Sequence, residues 1–186
     1  MILVLPVDIQ KGLDEYAYWG GERSNPAFEA NVARLLAAAR QMGHEIIHIR
    51  HDSTNPKSPL RPGQPGNEFK AQAAPMEGEP VIAKSVNSAF IGTDLEQCLH
   101  DLAADHLVIF GLTAEHCVST TTRMAGNLGF RVSLVGDATA AFPTVTPDGE
   151  AIDAETHHRV HLAALHREFA TVITTDEAVS LLSAGD

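Results

Sequence analysis

Cys117 closes the run Gly111-Leu112-Thr113-Ala114-Glu115-His116-Cys117, between an apolar strand-like segment and a helical one. A cysteine at that place lies over the positive end of a helix dipole, which favours thiolate over thiol. Two further ionisable residues follow apolar, β-rich runs: Asp8 after Ile2-Leu3-Val4-Leu5-Pro6-Val7, and Lys84 after Val81-Ile82-Ala83. In an open parallel sheet the reacting groups gather at the carboxyl ends of the strands, so the three can meet at one rim. Together they could run acyl transfer. Asp8 takes the thiol proton and returns it to a leaving amine, Lys84 holds Asp8 and steadies the sulfur's charge, and water hydrolyses the thioester. Each residue alone also has a structural explanation: an aspartate that caps a helix, a lysine that tethers a strand, a cysteine that fills core.

The elements that must position these residues are legible as alternation. Short apolar runs alternate with helical periodicity, the pattern of a parallel sheet with crossover helices. Pro26 opens a helix whose apolar positions are Val32, Leu35, Leu36, Ala39 and Met42, and Gly43 stops it. His44–Ile49 reads as the second strand, and Val81–Ala83 as the third. Thr93 with Glu96 forms a capping-box pattern for a helix that buries Leu95, Cys98, Leu99 and Leu102. Leu107–Phe110, Val132–Val135 and Thr171–Thr174 supply the remaining strands, and a helix runs from about Asp153 to His166. Residues 50–79 carry five prolines and three glycines, and read as an ordered loop that shapes a site or a subunit contact.

Length and composition bound the rest. The 186 residues suit one domain, 1–186, with a full core. A net charge of -11 argues against nucleic acid or an anionic membrane as partner. No signal peptide or membrane-spanning run is visible, and only two cysteines occur, so a reduced, cytoplasmic setting is expected.

Asp8 with Gln10, the run Lys84-Ser85-Val86-Asn87-Ser88-Ala89-Phe90, and Gly111 to Val118 together resemble the three signature segments of the isochorismatase-like cysteine hydrolases. That superfamily includes nicotinamidases, N-carbamoylsarcosine amidases, maleamate and ureidoacrylate amidohydrolases, and isochorismatase itself. The resemblance implies a three-layer α/β/α fold with a six-stranded, mainly parallel, Rossmann-like sheet. It implies Cys117 as nucleophile, Asp8 as acid and base and Lys84 as their electrostatic partner in the hydrolysis of a small-molecule amide. It further implies a cis Leu112–Thr113 peptide, an oxyanion hole from the backbone N–H groups of Thr113 and Cys117, no cofactor, a homo-oligomer, dimer or tetramer, and Phe90 in the acyl pocket, where it could equally pack on the following helix. Gln10 either positions substrate or caps the following loop. Tyr16, Tyr18 and Trp19 either cover the pocket as a lid or pack as an ordinary loop.

The metal pattern of nicotinamidases is not met. After the second strand the chain reads Arg50-His51-Asp52-Ser53-Thr54, with Thr54 where the first histidine ligand would stand, and no metal is expected. His51 and Asp52 are expected to orient the loop. His157 and His161, at i and i+4, have a spacing that can serve a metal but suits surface histidines better. Arg123 is placed either to meet a substrate carboxylate or to form an interface ion pair. Three other readings share the fold: cleavage of a vinyl ether, against which the presence of Cys117 argues, a thiol-sensing or binding role, and a purely structural homologue whose pocket has closed.

Overall fold

Strand β1 (Ile2–Val7) is buried at every position, so the sheet around it must be covered on both faces. In the computed structural model, which describes residues 1–184, alternate residues of β1 serve two separate cores. Ile2 and Val4 face one layer, formed by α1 (Phe28–Met42) and α5 (Thr175–Ala184). Leu3, Leu5 and Val7 face the other, formed by α2 (Leu95–Asp101), α3 (Cys117–Asn127) and α4 (Ala154–Leu165). The result is a three-layer α/β/α architecture.

The central sheet is parallel throughout. Its order is β4 (Val81–Lys84), β3 (His48–His51), β1, β5 (His106–Leu112), β6 (Arg131–Ala140), β9 (Thr171–Ile173), with β2 (Glu45–Ile46) pairing on β1 beside β3. The chain leaves β1 toward β3 and β4, then returns to the opposite side at β5. The reversal of direction lies between β1 and β5, and there the crossover loops part to leave a crevice at the carboxyl ends. Register makes the rim specific: Val7 pairs with both Ile49 and Gly111, and His51 pairs with Lys84. The residues that follow Val7 and Gly111 therefore emerge beside the ends of β3 and β4.

Gly111 is the tightest point of that rim. Its φ is +131°, and a Cβ there would stand 2.0 Å from the Val7 carbonyl oxygen. Gly111→Ala is expected to destabilise the protein by at least about 3 kcal/mol, because the clash is with backbone in the central strand pair. A denaturant midpoint comparison checks this.

Several local expectations are corrected. The second strand is broken into β2 and β3, and β6 runs on to Ala140 through a register shift against β5. Helix α5 and the short hairpin of β7 (Thr144–Val145) with β8 (Ala151–Ile152) have no counterpart in the periodicity analysis. The Thr93 hydroxyl is not half of a capping box: it donates to Ala89 O at 2.5 Å and accepts from Leu95 N at 3.4 Å, while Asp94 is the residue before the helix. Met42 and Leu102 lie exposed and Cys98 is only half-buried, whereas Ala39 and Leu99, in the last turns of the same two helices, are fully buried.

Candidate active site

Asp8 leaves β1 in the left-handed region at φ +50°, a conformation that aspartate tolerates better than most residues. Its amide donates to Ile49 O at 3.0 Å, which fixes the turn against β3. The carboxylate is 1% exposed, and Oδ2 accepts from Lys84 Nζ at 2.6 Å. Lys84 is equally sealed, and its ammonium also donates to His51 Nδ1 at 3.1 Å. An ion pair this dry persists only because each charge has a partner. The other carboxylate oxygen, Oδ1, is buried with no hydrogen-bond partner among the described residues.

Cys117 is half-buried at the first position of α3, above that pair. The thiol donates to Asn87 Oδ1 at 3.8 Å. One ligand-type atom from each of Asp8, His51 and Cys117 lies within 4.8 Å of the others. The backbone reaches the helix through a cis Leu112–Thr113 peptide, and Thr113 O accepts from the amides of both His116 and Val118. The amide of Ala114 donates to Ala140 O at 2.8 Å.

The electrostatics reverse one expectation. The thiol pKa is raised above the ordinary cysteine range, first by burial and then by the negative charge of Asp8; Lys84 opposes this and is outweighed. A helix terminus contributes about 0.3–1 kcal/mol to an anion, whereas full burial can move a pKa by about 3–5 units. The resting sulfur therefore keeps its proton. His51 is held below its usual pKa by burial and by the Lys84 ammonium, so its imidazole is neutral at pH 7 and free to accept from the lysine.

A cavity of about 190 Å³ opens onto the sulfur. Trp19, Leu13 and Leu60 form its apolar wall, and Ser53, Asn55 and Ser58 bring polar groups from the 50–79 loop. That loop is ordered: Asn67 Nδ2 donates to His51 O, Leu60 O and Asp52 Oδ1 at 2.8–3.0 Å. Trp19 stacks on Phe142 at 5.5 Å and donates to Gly12 O at 2.8 Å, so the aromatic segment is a fixed wall. A larger surface groove, about 830 Å³, runs along β4 and α2 past Cys98 but contains none of the converging groups.

Two pocket expectations are corrected. Gln10 faces away: Oε1 accepts from His51 N at 2.9 Å, and Nε2 donates to His51 O and Asn67 O, stitching the loop to β3. Phe90 packs on Phe130 at 6.2 Å in the core and is not part of the cavity wall. Arg123 donates to Ser119 Oγ at 3.3 Å and lies over the Phe169 ring, without an ion-pair partner among the described residues. His157 Nδ1 is bonded to Phe142 O at 2.8 Å, and its ring meets that of His161 edge-on. His51 and Asn87 are the residues that sequence reasoning underestimated. Asn87 lies inside the second signature segment and His51 at the end of β3, outside all three, and only the fold shows that both stand beside the sulfur.

The donor set does not suit a metal ion. Lys84 Nζ already supplies the positive charge between Asp8 and His51. Asp52, at the position where the nicotinamidase pattern has its carboxylate, is taken up by Arg50 at 2.8 and 3.0 Å and by Asn67. Dialysis against a strong chelator is accordingly expected to leave turnover unchanged; loss of activity restored by a divalent cation would contradict it.

A family model described as the isochorismatase domain matches residues 2–177. A Bacillus subtilis isochorismatase-family protein, YrdC, is 45% identical over 174 residues, covering 94% of this chain and 92% of the relative. The N-carbamoylsarcosine amidase of an Arthrobacter species is 42% identical over 118 residues, covering 54% of this chain and 45% of that enzyme. A solved structure of an isochorismatase-family protein from Chromobacterium violaceum superposes with a TM-score of 0.93 at 41% identity, covering 99% of this chain and 94% of that one.

Proposed function

The chain belongs to the isochorismatase family, and on that premise we propose that it is a cysteine hydrolase that cleaves a small-molecule amide through a thioester. The observation that carries this reading is the Cys117 thiol at the start of α3, beside a sealed carboxylate–ammonium pair whose second carboxylate oxygen has no partner among the described residues. The relation to an amidase supports a C–N bond as the one broken.

In the resting site Asp8 is the anion, Lys84 the cation, and the thiol neutral. As Cys117 Sγ bonds to the substrate carbonyl carbon, its proton passes to Asp8 Oδ1, so no free thiolate has to form in advance. The carbonyl oxygen becomes an oxyanion and accepts from the backbone N–H groups of Thr113 and Cys117. Neither amide has a partner among the described residues. Asp8 then gives the proton to the departing nitrogen, which leaves as ammonia or an amine, and the thioester remains. Water, relieved of a proton by Asp8, attacks the thioester; the acid departs and the proton returns to sulfur. Lys84 holds Asp8 Oδ2 throughout, so the carboxyl group presents the same oxygen to every transfer.

The test is ammonia release from a panel of small primary amides, with untreated protein and with protein alkylated at Cys117. Release that alkylation abolishes supports the reading. Release that survives full alkylation would overturn it.

A further inference from the structure

We infer that the substrate is an uncharged amide with only a few non-hydrogen atoms, and that the site rejects amides bearing a carboxylate. This rests on the amide-hydrolase reading and narrows its substrate class.

Among the described residues no arginine or lysine lines the cavity. Lys84, directly beneath, is spent on Asp8 and His51. The neighbouring arginines of the loop are turned to other partners, Arg50 to Asp52 and Arg61 to Pro56 O. His51 is neutral and already accepts from Lys84, and His116 stands at the exposed rim. An anionic group brought into such a cavity would lose its hydration with no cation to replace it, and Asp8 would lie below it. A fork of arginine donors is the strong way to hold a carboxylate in a dry site, and none is present here; the backbone N–H groups of Thr113 and Cys117 are taken by the reacting carbonyl oxygen.

What the walls do supply suits a neutral amide. Ser53, Asn55, Ser58 and Asn87 carry hydroxyl and amide groups that both donate and accept. Leu13, Leu60 and the Trp19 ring cover apolar carbon. The volume, about 190 Å³, is small beside the roughly 300–1,000 Å³ of pockets that take drug-sized ligands, which limits the acyl portion to a short chain.

Succinamide and succinamate share a carbon skeleton and differ by one amide in place of a carboxylate. Each is given to the wild-type protein with two readouts: slowing of Cys117 alkylation by iodoacetamide, which reports binding, and ammonia release, which reports turnover. Succinamide is expected to protect the thiol and to be hydrolysed with kcat/KM at least about tenfold above succinamate. Protection by succinamate equal to or better than that by succinamide, or protection by neither up to the limit of solubility, would overturn the inference. Protection by succinamide without ammonia release would uphold the selectivity and instead remove the hydrolase reading.

Discussion

Asp8→Asn is expected to move two properties of Cys117 in opposite directions. Amide hydrolysis should fall by about 10²–10⁴-fold, the usual contribution of a positioned acid–base group, because no carboxylate is left to take the thiol proton or return it to the leaving nitrogen. Alkylation of the same thiol at neutral pH should become faster. The sign follows from the charges. The thiol pKa is raised by burial and by the Asp8 anion, and Lys84 opposes both. Removing the anion while keeping the cation lowers the pKa and raises the thiolate fraction, although burial still holds it above that of a free cysteine. His51 Nδ1 remains as an acceptor for the ammonium at 3.1 Å, so the lysine is not stranded. The pH profile of alkylation in the two proteins measures the shift. A thiol that reacts more slowly in the variant would mean that Asp8 activates sulfur by a route other than proton acceptance.

Cys117→Ala has the largest expected effect. Turnover should drop by at least about 10⁴-fold, since the residues act as a unit and loss of the nucleophile leaves only binding and the backbone donors. Binding should survive. The cavity wall is provided by Trp19, Leu13, Leu60 and the loop serines, none of which touches the sulfur through a hydrogen bond. The dissociation constant for an amide, measured by calorimetry on the variant, should therefore stay near the wild-type value while hydrolysis is lost. A variant that still turns over would show that the reaction runs without sulfur.

Asp8, Lys84 and Cys117 could be picked out from the sequence because each abuts a short apolar run, and parallel strands bring their carboxyl ends to one rim. Other features depend on contacts distant in the chain. The position of Ser53, Asn55 and Ser58 over the sulfur is set by Asn67, which ties the loop to β3 through hydrogen bonds that no local spacing encodes. Gln10 lies two residues after Asp8, where spacing suits either a substrate contact or a loop cap, and the turn at φ +50° sends its amide to the His51 backbone. Phe90 sits six residues after Lys84, but its ring completes the core with Phe130. The state of the thiol is not legible in sequence for a physical reason. The helix terminus is visible in sequence and favours thiolate; burial and the facing carboxylate are visible only in three dimensions, and they are larger.

The covalent step is tested most directly by acid-quenching the wild-type protein during turnover of a neutral amide and weighing the peptide that contains Cys117. The proposed mechanism predicts a population carrying the mass of the acyl group on that peptide, removed by hydroxylamine and missing when the protein is alkylated beforehand. An unmodified peptide at every quench time, together with a Cys117→Ala variant that releases ammonia at the wild-type rate, would contradict it.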